Sequence, residues 1–266
     1  MGLRAGTSAA AAACRTAACL AAAIPLLLAC TSNAPPRLKQ TSRSDSASAF
    51  NMQLGLEYLK KGELSVAKEK LERAEQENPR DPNVHMALAL LNERLNNPSR
   101  VDSEYRKALR LAPKNPEISN NYAVFLCRSK RYDEGVKRFL ESATNPLYQT
   151  PEAAYTNAGV CLRAADRHDE AERNFLTALR ARPNFSEAAY QLSDLELARG
   201  RTKEARERID QFLNTFNATP ELLLLAVRIA RAGGDRVAAE RFARRLRNDF
   251  PESEQSRQLS DVLRNP

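Results

Sequence analysis

Five cysteines and two histidines are the only thiols and imidazoles in this chain of 266 residues, and their placement limits the chemistry available to it. Cys14 and Cys19 lie in an alanine-rich leader, Cys30 closes an apolar run, and Cys127 and Cys161 stand apart in the body of the chain. A thiol can be a nucleophile, a metal ligand, half of a disulfide or an acylation site. No CxxC, HExxH, GxSxG or GxxxxGK[ST] spacing occurs, so neither a metal centre nor a nucleophile with its base is in view. His85 falls where the surrounding pattern calls for a core residue. Acidic residues stand three or four positions from Lys or Arg, as Glu69 with Arg73 and Asp169 with Arg173, the spacing of a solvated helix face. The expectation is a protein that is not an enzyme, with no metal, no cofactor and no small-molecule substrate.

The leader gives Cys30 a different use. Met1 to Ala29 carries Arg4 and Arg15, no acidic residue, and an apolar run from Ala17 interrupted by Pro25. That run is shorter than the ~20 residues a membrane span needs and has the form of an export signal. Its end, Leu26-Leu27-Leu28-Ala29-Cys30, resembles the lipobox of bacterial lipoproteins, with Leu28 bulkier than the usual occupant. The resemblance implies cleavage after Ala29 and a covalent lipid on Cys30. The alternative is a secreted protein cut at an Ala-x-Ala site, with Cys30 a spare thiol. Residues 30–47 are polar, contain Pro and Ser and lack aromatics, so they read as a disordered tether behind the lipid. Thr31, where retained inner-membrane lipoproteins tend to have Asp, implies the outer membrane.

Elements that could position the other two cysteines come from an internal repeat. Pro79, Pro113, Pro183 and Pro251 close units that begin at Ser48, Pro82, Glu152 and Pro220, and units beginning at Pro116 and Ser186 fill the gaps, with spacings of 34, 34, 36, 34 and 34 residues. The eighth position is Gly55, Ala89, Ala123, Gly159, Ser193 and Val227, and the twentieth is Ala67, Val101, Gly135, Ala171, Ala205 and Ala239. Small residues at two fixed places let paired helices approach closely. Nine glycines, no Trp and 6% aromatics leave little material for a sheet fold. The pattern resembles the tetratricopeptide (TPR) repeat, and implies an all-α, right-handed superhelix of six TPR repeats: 48–81, 82–115, 116–151, 152–185, 186–219 and 220–253. Residues 254–266 read as a capping helix with a frayed end.

Binding is then the remaining function, and the repeat frame says where. Groove-facing residues of each first helix fall near positions 2, 5, 6, 9, 12 and 13. They give Met52, Gln53, Leu56 and Leu59 in the first repeat, and Met86 and Leu90 in the second, as an apolar surface with adaptable Met contacts. Either a partner or the chain's own N-terminal segment covers it. Asn120, Asn121 and Asn157 add amides suited to a peptide backbone. The first five repeats carry no Lys or Arg at positions 2, 5 and 6. The net charge is +8, and Arg228, Arg231, Arg236, Arg241, Arg244, Arg245 and Arg247 form a cationic stretch. In an exported chain, with Phe242 the one aromatic among these arginines, it reads as a solvated face and not as a nucleic-acid site. Cys127 and Cys161 remain as an even pair in an oxidising compartment, on first helices of adjacent repeats, and are expected to form a disulfide.

One stretch is more particular than a generic repeat. NNYAVFLC at 120–127, NPLYQTP at 145–151 and NAGVC at 157–161 follow one another in this order, and the two extra residues of the third repeat coincide with the second element. This resembles the type IV pilus biogenesis lipoproteins of the PilF and PilW kind. The resemblance implies an outer-membrane lipoprotein that faces the periplasm and acts as a pilotin. Its partner would be the pilus secretin, which it helps to reach the outer membrane and to multimerise. A general periplasmic TPR scaffold is the other reading.

Overall fold

The computed structural model describes residues 43–264, so the leader, Cys30 and the first part of the tether lie outside the described residues. Within that range the chain is all helix: α1 Arg43–Lys61, α2 Leu64–Glu77, α3 Pro82–Arg94, α4 Pro98–Leu111, α5 Pro116–Arg128, α6 Tyr132–Ala143, α7 Pro151–Ala164, α8 His168–Ala181, α9 Ser186–Ala198, α10 Thr202–Thr215, α11 Pro220–Ala232, α12 Arg236–Asp249 and α13 Glu254–Arg264. Helices pack pairwise in sequence order, and first helices also lean on one another, α1 on α3, α5 on α7, α7 on α9, α9 on α11 and α11 on α13. This is the right-handed TPR superhelix, a solenoid in which each unit touches only its neighbours. No described helix is long and apolar enough to cross a membrane.

Local chemistry sets the helix bounds. Proline occupies the first turn of α3, α4, α5, α7 and α11, where its missing N–H costs nothing. Asp81, Asn97, Asn115, Thr219 and Asp235 cap helices by accepting backbone N–H bonds. Between the two helices of every repeat, one residue adopts the left-handed conformation: Gly62, Asn96, Lys130, Asp166, Gly200 and Gly234, with φ from 53° to 79°. All six are the fifteenth residue of their units.

Close approach explains the small positions. A Cβ at Gly55 would overlap Leu71, and one at Gly159 would overlap the Phe175 ring. At Gly135 it would overlap the sulfur of Cys127. Four apolar clusters run along the array, from Leu71 and Leu88, through Tyr105 and Leu126, then Phe139 and Phe175, to Leu222 and Phe242.

The tether boundary needs correction. Helix begins at Arg43, so residues 43–47, read from sequence as part of a tether ending at 47, form the first turn of α1. The Ser44 hydroxyl donates to the Glu77 carbonyl, and Asp45 accepts from the Asn78 amide at 2.9 Å. Ser48 donates to the Ala74 carbonyl at 2.9 Å, and Asn51 to the Glu77 carboxylate at 2.9 Å. A polar segment that has no apolar surface to bury is ordered here by satisfying the end of α2.

Candidate functional site

The first helices bring the groove residues together in rows. Met52, Leu56 and Leu90 are half-buried and pack against the N-terminal apolar cluster, with one side left to solvent. Met86 is half-buried too, and its sulfur accepts a hydrogen bond from the Asn121 amide at 3.4 Å, which joins the apolar patch to the amide patch. Gln53 is exposed and donates to Glu57 at 3.2 Å. Asn120, Asn121 and Asn157 are half-buried, and the Asn120 side-chain oxygen is enclosed with no hydrogen-bond donor among the described residues.

Leu59 does not belong to this surface. It is 8% exposed and sits in the same cluster as Leu88 and Leu91 of α3, so it joins the first repeat to the second and is not available to a partner. Its twelfth position points into the seam between units, which an apolar residue satisfies as well as it would satisfy a groove.

Sequence reasoning did not follow one row, the ninth positions, to its end, and so missed Val124, Val160 and Asp194. The ninth positions continue the apolar surface through Val124, half-buried, and Val160, 40% exposed, before changing to Asp194 and Arg228. Asp194 accepts from Arg163 at 2.7 Å and from Arg228 at 3.2 Å, a charged ladder across three first helices. Burial, then the charge of Asp194, pushes the neighbouring Tyr190 phenol up. Extending the frame arithmetic past the second repeat would have found these residues. The concave face is therefore apolar at its N-terminal end, amide-lined in the middle and cationic at its C-terminal end.

Cys127 of α5 and Cys161 of α7 are bonded in the structure, with their α-carbons 5.7 Å apart and a separation of 34 positions in sequence. The pair ties the third repeat to the fourth towards the C-terminal ends of α5 and α7, away from the longer 144–150 connection at their N-terminal ends. There the Asn145 side chain donates to the Lys114 carbonyl at 2.9 Å and accepts from the Leu147 N–H at 2.9 Å, leaving Leu147 76% exposed.

His85 is the core histidine its position suggested. Nδ1 lies 2.8 Å from the Glu104 carboxylate and Nε2 lies 2.9 Å from the Pro79 carbonyl. Both nitrogens thus face acceptors, and only the imidazolium donates to both. The hydrogen bond to Glu104 raises the His85 pKa against the opposing effect of burial. Burial would raise Glu104, but hydrogen bonds from His85 and Lys107 outweigh it and hold that carboxyl below its usual value. Glu75, His85 and Glu104 bring ligand atoms within 4.8 Å of one another, a spacing a metal could use. Lys107 already lies 2.8 Å from Glu104 and 3.8 Å from Glu75, so two cations balance two carboxylates without one.

Comparison with known proteins places these features. Tetratricopeptide repeat models match residues 52–100, 104–137 and 162–220. The type IV pilus assembly protein PilF of Pseudomonas aeruginosa is 32% identical over 216 residues, 81% of this chain and 86% of that protein. The solved structure of Pseudomonas aeruginosa PilF superposes with a TM-score of 0.65 at 30% identity, covering 83% of this chain and 99% of that one. The crystal structure of PilW, described as a widely conserved type IV pilus biogenesis factor, gives a TM-score of 0.65 at 27% identity, over 80% of this chain and 97% of that one.

Proposed function

Since the chain belongs to the PilF family of type IV pilus TPR proteins, we propose that it is the pilotin of its pilus system, a non-enzymatic adaptor that binds the secretin through its concave face. The observation that carries this reading is the half-open apolar row Met52, Leu56, Met86, Leu90, Val124 and Val160, which offers a partner side-chain pockets without exposing the core. Apolar surface of this kind, rimmed by polar groups, marks a protein-binding face. The lipid on Cys30 would hold the molecule at the outer membrane, facing the periplasm, where the secretin must insert and multimerise. The Cys127–Cys161 disulfide would hold the first helices of the third and fourth repeats together in the middle of the groove. In the chain-entropy model, closing the loop between them contributes about 3–4 kcal/mol.

The test is co-purification of the secretin with tagged protein from solubilised outer membrane. Val160→Glu combined with Met86→Gln changes the groove at an exposed and a half-buried position and should leave the helical melting curve near wild type. The expected result is loss of secretin from the pull-down and less multimeric channel. Undiminished recovery of secretin with the folded double variant would refute the groove assignment. In parallel, Cys30→Ala should shift the protein out of the membrane fraction.

A further inference from the structure

Seams between repeats are made by the same positions of each first helix, and α1 carries those positions with no repeat before it among the described residues. The third residue of the later units is Val84, Ile118, Ala154, Ala188 or Leu222, each 0% exposed. The seventh is Leu88, Tyr122, Ala158, Leu192 or Ala226, each buried. In α1 the same two positions are Phe50, 68% exposed, and Leu54, half-buried. Arg43, Ala47, Phe50, Leu54, Tyr58 and Lys61 follow one another at three- or four-residue spacing, so α1 carries an apolar stripe with a cation at each end. We propose that this stripe rests on the bilayer, with Phe50 and Leu54 entering the headgroup region and Arg43 and Lys61 held by anionic phospholipid headgroups.

Position in the chain argues for a membrane as the occupant. Residues 31–42, between Cys30 and α1, reach at most about 40–43 Å when fully extended. A lipid on Cys30 therefore keeps the N-terminal end of the array close to the bilayer, and this placement rests on the anchoring reading above. At the opposite end the array covers its own last seam, since α13 packs on α11 and α12 and buries Leu259. Among the described residues the first unit has no such covering helix.

Charge argues for anionic lipid. Between Cys30 and α1 the chain adds Arg37 and Lys39 and no acidic residue. Arg43, Lys60 and Lys61 follow on α1, with Asp45, Glu57 and Glu63 as the nearby acids. Asp45, two residues before Ala47, is on the opposite side of the helix and accepts from Asn78 at 2.9 Å. Glu57 accepts from Lys60 at 2.9 Å. The Lys61 amine lies 5.5 Å from the centre of the Tyr58 ring, and a long side chain of this kind lays its stem on apolar surface while its charge stays among headgroups. Aromatic residues flanked by Lys and Arg are the composition of helices that lie in a membrane interface. A second copy fits less well, because antiparallel pairing of two α1 helices brings Arg43 of one towards Lys61 of the other.

The chain has no Trp, so a single introduced one reports its own surroundings. Phe50→Trp in the full-length protein, reconstituted in vesicles of phosphatidylethanolamine and phosphatidylglycerol, should give a blue-shifted emission that brominated acyl chains quench. Val237→Trp, at a position 81% exposed at the other end of the array, should be quenched at least about threefold less. Arg43→Glu combined with Lys61→Glu should lower the quenching at Phe50→Trp by a similar factor, as should exchange of phosphatidylglycerol for phosphatidylcholine. Tyr58→Trp is a second reporter on the stripe, with circular dichroism to confirm the fold of each variant. Equal quenching at the two ends, water-exposed emission at both stripe positions, or quenching unchanged by the charge reversal would each overturn the proposal. Intact mass reports the lipid on Cys30 separately: a chain without it refutes the anchor, while quenching in excess vesicles still decides the stripe. Secretin recovery with the Met86 and Val160 variants is a further independent readout, so the groove and the stripe fail separately.

Discussion

At the scale of single residues, His85 makes the most specific statement about conditions. Its imidazolium donates to Glu104 of α4 and to the Pro79 carbonyl, with Glu75 of α2 3.9 Å away and Lys107 holding the far side of Glu104. A histidine with a raised folded pKa adds stability that is fully present below its unfolded value and is lost as pH rises through the folded value. A glutamate with a lowered folded pKa adds stability present above its unfolded value and lost as pH falls. With ordinary values of 6.5 for His85 and 4.5 for Glu104, the pair contributes most between those pH values. The difference in melting temperature between wild type and His85→Gln should therefore be largest near pH 5.5 and shrink as pH rises above 7. A difference independent of pH would mean that His85 acts by packing alone. Gly135 shows a similar constraint from sterics: the twentieth position usually takes alanine, yet here the Cys127 sulfur occupies the space a methyl group would need. Sequence alone could present Gly135 only as small. The reason for glycine becomes visible once the sulfur is placed.

At the scale of helices, the turn inside each repeat tests how far the frame reaches. The fifteenth residue is left-handed in all six units, glycine in three and Asn96, Lys130 and Asp166 in the others. Asparagine and aspartate tolerate that conformation by local hydrogen bonding, but lysine has no such compensation and bears a cost of about 1–2 kcal/mol. Lys130→Gly should stabilise the protein by about 0.5–1 kcal/mol, after the extra freedom glycine gives the unfolded chain. Urea unfolding would measure this, and a loss of stability would show that the Lys130 side chain has a role in the fold. Helix pairing and the small contact positions were legible because each depends on residue type at a fixed place in a repeating frame, whereas the left-handed turn residues and the caps were not singled out. The start of α1 was not legible, since Ser44, Asp45 and Ser48 are ordered by the carbonyls and side chains ending α2, partners far away in sequence. Leu59 was misplaced for a related reason: hydrophobicity does not separate a seam between repeats from an open groove.

At the scale of the whole molecule, a solenoid has two ends and no closed core, so its stability depends on what covers the terminal units. The two ends differ. At the N-terminal end Phe50 is 68% exposed, on the side of α1 where later repeats meet a preceding unit. At the C-terminal end α13 packs on α11 and α12, buries Leu259 to 1% exposure, and half-buries Val262 and Leu263. Ser256 of α13 donates to the Phe250 carbonyl at 2.7 Å and to that of Leu246 at 3.2 Å, satisfying the end of α12. This cap should fix the stability of the sixth repeat with little effect on the third and fourth, which are joined by Cys127–Cys161. Leu259→Ala removes a fully buried leucine and should cost about 2–4 kcal/mol where it acts. In a nearest-neighbour array that loss stays local, so hydrogen exchange should speed up strongly at α11 and α12 and hardly at all at α5 to α8. Val262 lies one turn of α13 beyond Leu259 and lines a cavity with Arg228 and Arg236, so the same loosening would widen that cavity while leaving the apolar row intact. Uniform acceleration along the whole array would show one cooperative unit, in which changes at one end of the groove are felt at the other. Acceleration confined to α11 and α12 would mean that the two ends fold as separately adjustable parts.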